Sequence, residues 1–297
     1  MNSQSSDPAV SVIIVVYNGA STIATAINSA LAQTFDSFEV IVVNDGSADS
    51  TGAVLGARNA SLAIARGRYL AFLDADDTWS PNKLAMTIAP MDRDPSIVLA
   101  YSNLTPVDSS GTPSNEILIP AASAHAPSMD DLLRQWWPII PSTVAVRRDT
   151  FIASGGFDEE FRGASGYEDA FLWLLMRERG PFAYIAEPLV RYHTGGASER
   201  MAKYLPQQDL FLLKVGKRYG YAAKALARST RNAYSSALGH EGLQALRNGD
   251  RATARHFFKL ALRDRPADLK TALRLLRTWL PPSLARALTG RTGTLHS

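Results

Sequence analysis

The apolar pattern near the start of the chain is "VSVIIVV" over Val10–Val16, an almost unbroken β-branched run of the kind that forms a strand buried on both faces. Phe38–Val43, "FEVIVV", repeats it. Between the two, "GASTIATAINSALAQ" places Ile23, Ile27 and Leu31 on one helical face. Strand, helix and strand in this spacing predict a βαβ unit with a right-handed parallel crossover. A third strand is expected at Tyr69–Leu73, a helix opened by Ser80-Pro81, and a further strand in "SIVLAYSNL" from Ser96. The first half of the chain therefore reads as α/β, a doubly wound and mostly parallel sheet.

From Leu104 to Ala126 the pattern changes to loop and hairpin, with a turn at Asp108-Ser109-Ser110-Gly111 and an edge strand in "SNEILIP". A helix with Trp136 and Trp137 near its end follows, then a strand "STVAVRR", a turn "SGGFDEEF" and a helix "YEDAFLWLLMRERG" closed by Gly180. Past Glu199 the chain is nearly all helical. Ala233–Pro266 has the spacing of one tetratricopeptide-like hairpin, carried by Gly249-Asp250, Ala254, Phe258, Ala261, Leu262 and Pro266. No second copy exists, and one hairpin is too few for a free-standing solenoid. Two domains are expected, residues 1–213 and a helical region at 214–297.

Charge sharpens that division. The net charge of +3 over 297 residues conceals 17 basic against 4 acidic residues from Lys214 onward, and 14 against 24 before it. An acidic body with a basic tail suggests contact with an anionic surface such as a membrane, and a solvated helical face reads the same charge equally well. No aromatic and basic interleaving points to nucleic acid. Cysteine is absent, so disulfides and thiolate metal sites are excluded and any metal must be held by oxygen or imidazole. With neither an apolar run of eighteen residues nor a signal-like start, the expected location is the cytoplasm, peripheral on the inner face of the membrane if the basic region binds there.

The candidate chemistry lies where the three strands end. "RYLAFLDADDTW" runs from an apolar strand into Asp74, Asp76 and Asp77, three carboxylates that repel one another and each prefer hydration. The first strand ends in Val16-Tyr17-Asn18-Gly19 and the second in Asn44-Asp45-Gly46-Ser47. Ligands of open parallel sheets bind beyond the carboxyl ends of the strands, so topology brings these three signals to one cleft. Each also has a structural reading: Asp-Gly-Ser makes a good turn and Asp77 can cap a helix. Paired carboxylates fit Mg²⁺ or Mn²⁺ shared with waters and substrate phosphates. A carboxylate-rich cleft otherwise repels a diphosphate.

The ordered set "VSVIIVVYNG", "VIVVNDGSADST", "ARNASLAIARGRYLAFLDADDTWSPNKL", "PSTVAVRRDTFIASGGFDEEF" and "GYEDAFLWLLM" resembles family 2 glycosyltransferases, which have the GT-A fold. The resemblance implies an inverting transfer from a nucleotide-sugar donor to a glycan or lipid-linked acceptor, with a divalent cation. It implies that Asp45 bonds the donor base, that the backbone of Val16 and Tyr17 lines the same pocket, and that Arg58 lies beside the nucleotide. Asp76 and Asp74 match the DxD pair, with Asp77 behind them. Asp169, in Glu168-Asp169, matches the general base, and its place at a helix start favours the ionised form; the pair would also complement a helix N-terminus without catalysis. His193 in "VRYHTGG" matches a group near the metal or diphosphate, and a lone histidine after a strand also reads as structural. Arg147-Arg148 reads as solvated or as meeting an anionic acceptor, and the Trp136-Trp137 pair as buried or as a platform for a sugar. Only eleven residues separate Gly46 from Arg58. The family usually fits a further strand there, and this leaves the role of Arg58 open.

Two other classes compete. A sugar-nucleotide-binding scaffold acting through its helical region has no use for Asp74, Asp76 and Asp169 together. A nucleotidyltransferase would want a Gly-rich basic loop after the first strand, and "YNGAST" is not one.

Overall fold

The buried apolar runs need partners on both faces, and the computed structural model supplies them with a sheet covered by helices. It describes residues 7–44, 63–108, 111–113, 125–134, 137, 139–161, 167–193, 197–220 and 223–280. The expected turn at 109–110, the edge strand "SNEILIP" and Trp136 lie wholly or partly outside these residues. By contacts the chain divides into two compact units, the first comprising residues up to Leu133 and from Trp137 to Tyr221, the second beginning at Ala222.

In the first unit the chain runs through β1 (Val10–Val16), α1 (Ile23–Leu31), β2 (Phe38–Asn44), β3 (Tyr69–Asp74), the two-residue β4 (Thr78–Trp79) and α2 (Lys83–Arg93). It continues through β5 (Leu99–Val107), α3 (Met129–Arg134), β6 (Val144–Arg147), α4 (Arg148–Ala153), α5 (Glu168–Arg177), β7 (Phe182–His193) and α6 (Ala197–Tyr219). The strands form a seven-stranded sheet in the order β2-β1-β3-β6-β5-β7-β4. β1 pairs with β2 and with β3 in parallel, as does β5 with β7. β6 runs antiparallel to both β3 and β5, and β4 antiparallel to β7.

Five of the seven strands point the same way, so the sheet is mostly parallel as expected and is mixed only through the reversed β6 and β4. An apolar run shows that a strand is buried, not which way it runs, and direction is set by how the chain enters. Arg147, expected to be solvated or to meet an acceptor, instead anchors β6. Its guanidinium donates to the carbonyls of Ile97 and Met91 and lies over the Tyr69 ring.

Val12, Ile14, Ala71, Leu73 and Ala145 bury one face of the sheet against Leu84, Ile88 and Met91 of α2. On an aromatic layer, Phe72, Phe151, Phe157 and Trp173 of α5 pack edge-on or tilted at centroid separations of 5.4–6.3 Å. β2, half-exposed along its length, is the last described strand on its side. Residue 213 lies inside α6, which passes it without a break. Phe211 stacks 5.2 Å from Tyr167, and Lys214 is paired with Asp158 and Glu160.

The second unit holds α7 (Ala223–Arg247), α8 (Arg251–Asp264) and α9 (Leu269–Arg277). α7 and α8 form the expected hairpin. Gly249 takes a φ of +81° and the Asp250 carboxylate accepts from the Thr253 amide to cap α8. Gly242 lets the helices approach, since a Cβ there would sit 2.5 Å from the Phe258 ring. Among the described residues no helix is long and apolar enough to cross a membrane.

Gly67 passes so close to β1 that a Cβ would lie 2.3 Å from the Ser11 amide nitrogen. Gly67→Ala is expected to cost about 1–3 kcal/mol in denaturant unfolding. Gly216→Ala, in α6 with open space around it, is expected to gain up to about 1 kcal/mol. Equal stabilities for the two variants would contradict this packing.

Candidate active site

Parallel register aligns the ends of the first three strands. Val15 pairs with Asp74 and Val16 with Asn44, so β1, β2 and β3 release their chains at one edge. Beyond β1, Asn18 adopts a left-handed φ of 49°, unusual for a residue with a side chain. The turn it makes meets the acidic loop: a Cβ on Gly19 would lie 2.7 Å from Val16 Cγ2 and 3.4 Å from Ala75 Cβ. Val16 and Tyr17 therefore border the loop that carries Asp74 and Asp76.

That loop is fixed from beneath by Asp77. The Asp77 amide donates to the Asp74 carbonyl at 3.0 Å, closing the turn. Its side chain is buried and accepts from the Ser142 hydroxyl at 2.6 Å and from the His193 amide at 3.0 Å. Ser142 Oγ in turn accepts from the Asp74 amide at 3.1 Å. Burial, reinforced by the charges of Asp74 and Asp76, pushes the Asp77 carboxyl well above the usual carboxylate range, against the pull of its two hydrogen bonds. Asp77 caps no helix, because α2 begins six residues later, at Lys83, with Asn82 before it.

Sequence reasoning missed Ser142, Trp79 and Lys83. Trp79 Nε1 donates to the Ser142 carbonyl at 2.8 Å, and the fully buried Lys83 ammonium donates to Val144 at 2.9 Å, 4.0 Å from the Trp79 ring centroid. Burial pushes Lys83 well below the ordinary lysine range. Nothing local marks these hydrogen bonds, since each reaches a residue more than sixty positions away. Trp137, a candidate sugar platform, is buried and donates to the Tyr101 hydroxyl at 3.0 Å, which makes it a packing residue.

The structure also joins α5 to this site. Trp173 Nε1 donates to the Ile139 carbonyl at 2.9 Å, three residues before Ser142. At the start of α5, Glu168 accepts from the Tyr167 amide at 3.1 Å and Asp169 from the Ala170 amide at 2.6 Å, both carboxylates being largely buried. His193, at the end of β7, reaches the acidic loop through its amide, and its Nδ1 is buried without a hydrogen-bond partner among the described residues. Asp45 and Arg58 lie outside the described residues.

Among the described residues no three acidic or imidazole side chains form a ready metal cage. Mg²⁺ and Mn²⁺ do not require one, because each takes one or two carboxylates and completes its shell with water and phosphate oxygens. Asp74 and Asp76 put two carboxylates on one short loop, a donor set that fits such an ion, and His193, whose Nδ1 lacks a partner among the described residues, joins the same loop through its amide.

The family model described as "Glycosyl transferase family 2" matches residues 11–56 and 54–151. The UDP-Glc:alpha-D-GlcNAc-diphosphoundecaprenol beta-1,3-glucosyltransferase WfaP of Escherichia coli is 29% identical over 231 residues, covering 70% of this chain and 86% of its own. Among solved structures, the mannosyltransferase PcManGT from Pyrobaculum calidifontis, in complex with GDP-Man and Mn²⁺, superposes with a TM-score of 0.56 at 19% identity, covering 97% of this chain and 82% of that one. S. aureus TarS 1–349 in complex with UDP-GlcNAc gives 0.54 at 15% identity, covering 91% and 90%. These two likenesses show the GT-A fold. Asp169 and His193 lie beyond the residues that the family model matches.

Ser142→Ala would leave the Asp77 carboxyl and the Asp74 amide each short of a partner in a buried place. It is expected to lower stability by about 1–3 kcal/mol in denaturant unfolding. Unchanged stability would contradict the bonding described.

Proposed function

We propose, on the match of residues 11–151 to glycosyl transferase family 2 and the likeness to its E. coli relative, that this chain moves a sugar, with inversion, from a nucleoside-diphosphate sugar to a hydroxyl of a lipid-linked glycan during bacterial surface polysaccharide assembly. It is a glycosyltransferase, and the observation that carries the finer reading is the acidic loop held at the shared ends of β1, β2 and β3 by Asp77. The name of the E. coli relative gives a UDP-glucose donor and a diphosphoundecaprenol-linked acceptor. Those are that protein's substrates, and they support the same classes here.

In this reading the donor's diphosphate lies at the acidic loop. A divalent cation, Mn²⁺ or Mg²⁺, held by Asp76 and Asp74 with His193 beside them, would offset the charge that grows on the departing diphosphate. The backbone at Val16 and Tyr17 lines the nucleoside side, with Asp45 on the base and Arg58 beside the nucleotide. Asp169 takes the proton of the acceptor hydroxyl as its oxygen bonds to the anomeric carbon, and the bond to the diphosphate breaks with its electron pair leaving on that group. The N-terminal end of α5 favours the charged form that this role needs. Glu168 fixes the start of the helix through the Tyr167 amide.

The basic helical region supports a peripheral position on the inner, anionic face of the membrane, where each Lys or Arg near the surface contributes about 1 kcal/mol. A carrier-lipid acceptor would then be within reach.

Asp169→Asn is expected to lower sugar transfer by about 10²–10⁴-fold while metal-dependent nucleotide binding persists. Asp76→Ala is expected to lose that binding. Steady-state transfer together with nucleotide titration separates the two effects, and wild-type turnover in Asp169→Asn would remove the residue from the mechanism.

A further inference from the structure

The last described helix is turned inside out for a protein in water. Along α9, Leu269, Leu273 and Leu276 fall on one face, with Trp279 just past its end, and they are 77%, 61%, 62% and 64% exposed. The face turned to the rest of its unit carries Thr271 and Thr278, 4% and 2% exposed. A helix packed only against protein buries its leucines and presents its threonines. Here two threonines, with the half-buried Leu275 between them, make the packing contact, and an apolar stripe three turns long faces outward.

The surroundings of the stripe are cationic. Lys270, Arg274 and Arg277 lie along α9, where the only acid is the N-cap Asp268, engaged by Thr271. At the Trp279 end, Arg255 of α8 lies 4.5 Å from the Trp279 ring centroid, and Arg251 donates to the Leu280 carbonyl at 2.8 Å. From Ala222 onward the sequence has 14 basic residues against 4 acidic ones. A stripe of leucine and tryptophan bordered by arginine and lysine is the chemistry of a helix lying in the plane of an anionic bilayer. The apolar side chains enter the acyl boundary, the tryptophan sits at headgroup level, and the cations meet phosphates.

We propose that α9 is an interfacial membrane anchor that inserts Leu269, Leu273, Leu276 and Trp279 into an anionic lipid surface. The proposal deepens the lipid-linked reading above, which requires only attraction between charges, by adding an apolar component with its own residues. A second copy of this chain is the poorer occupant. Pairing two such stripes would bring Lys270, Arg274 and Arg277 of one copy against the same like charges of the other.

The test uses the full chain and phosphatidylcholine vesicles with or without about one third phosphatidylglycerol. Sedimentation is measured at low salt and at about 0.5 M salt, where surface charge is largely screened. The wild type is expected to bind the anionic vesicles and to keep a measurable part of that binding at high salt. Leu273→Glu combined with Leu276→Glu should weaken binding at least about tenfold and abolish the salt-resistant part, with the far-UV spectrum and nucleotide binding unchanged. Lys270→Glu with Arg274→Glu should weaken binding mainly at low salt. Failure of the wild type to bind, equal binding by the leucine variant, or a wild-type dimer that this variant dissociates would each overturn the proposal. Nucleotide titration of the same samples keeps the two readings apart. Lost vesicle binding with intact nucleotide binding defeats the anchor alone, and the converse defeats the transferase reading alone.

Discussion

Asp77 holds its carboxyl out of water between the Ser142 hydroxyl and the His193 amide, and the shape of the acidic loop depends on that clamp. Both partners donate, which favours a charged carboxylate. Burial and the neighbouring Asp74 and Asp76 favour the neutral one, and their combined effect is the larger. A group under opposed demands of this kind is costly to keep unless it joins parts that would otherwise separate. It joins β3, the segment before β6 and the end of β7, and so ties the loop that carries Asp74 and Asp76 to both of those elements. Trp79 and Lys83 support the same point from below through Ser142 and Val144.

The two units answer different physical problems. The first closes a site at strand ends and holds it with buried hydrogen bonds; its acidic surplus suits a cation-bridged anionic donor. The second gathers positive charge on a short helical hairpin whose glycines and caps are ordinary, followed by a helix whose apolar side faces outward. An enzyme whose acceptor is tethered to lipid gains from lying on the surface that holds it, because a bimolecular search becomes one confined to a plane.

Legibility in the sequence followed the range of the interactions. β1, β2, β3, the crossover helix and the hairpin at Gly249-Asp250 were readable, because periodicity, turn chemistry and capping act over a few residues. The convergence of the first three strand ends was readable too, since parallel topology dictates it. The direction of β6 was not, and with it went the role of Arg147. Asp77 was expected to cap a helix or to stand behind the metal pair, and its bonds to Ser142 and His193, 65 and 116 residues away, had no sign in the sequence. Ser142 and Lys83 had no local signal at all. A buried lysine reads as a surface one until its carbonyl and its ring are in place.

The central claim is that the loop from Asp74 to Asp77 belongs to a metal-dependent nucleotide-sugar site. Calorimetric titration of UDP, dTDP and GDP into the wild-type chain, each with Mn²⁺ and with chelator, addresses it most directly. The account predicts that one nucleotide binds with the metal and that chelator removes the binding. Binding of none of the three with Mn²⁺ present, or equal binding with chelator, would contradict it.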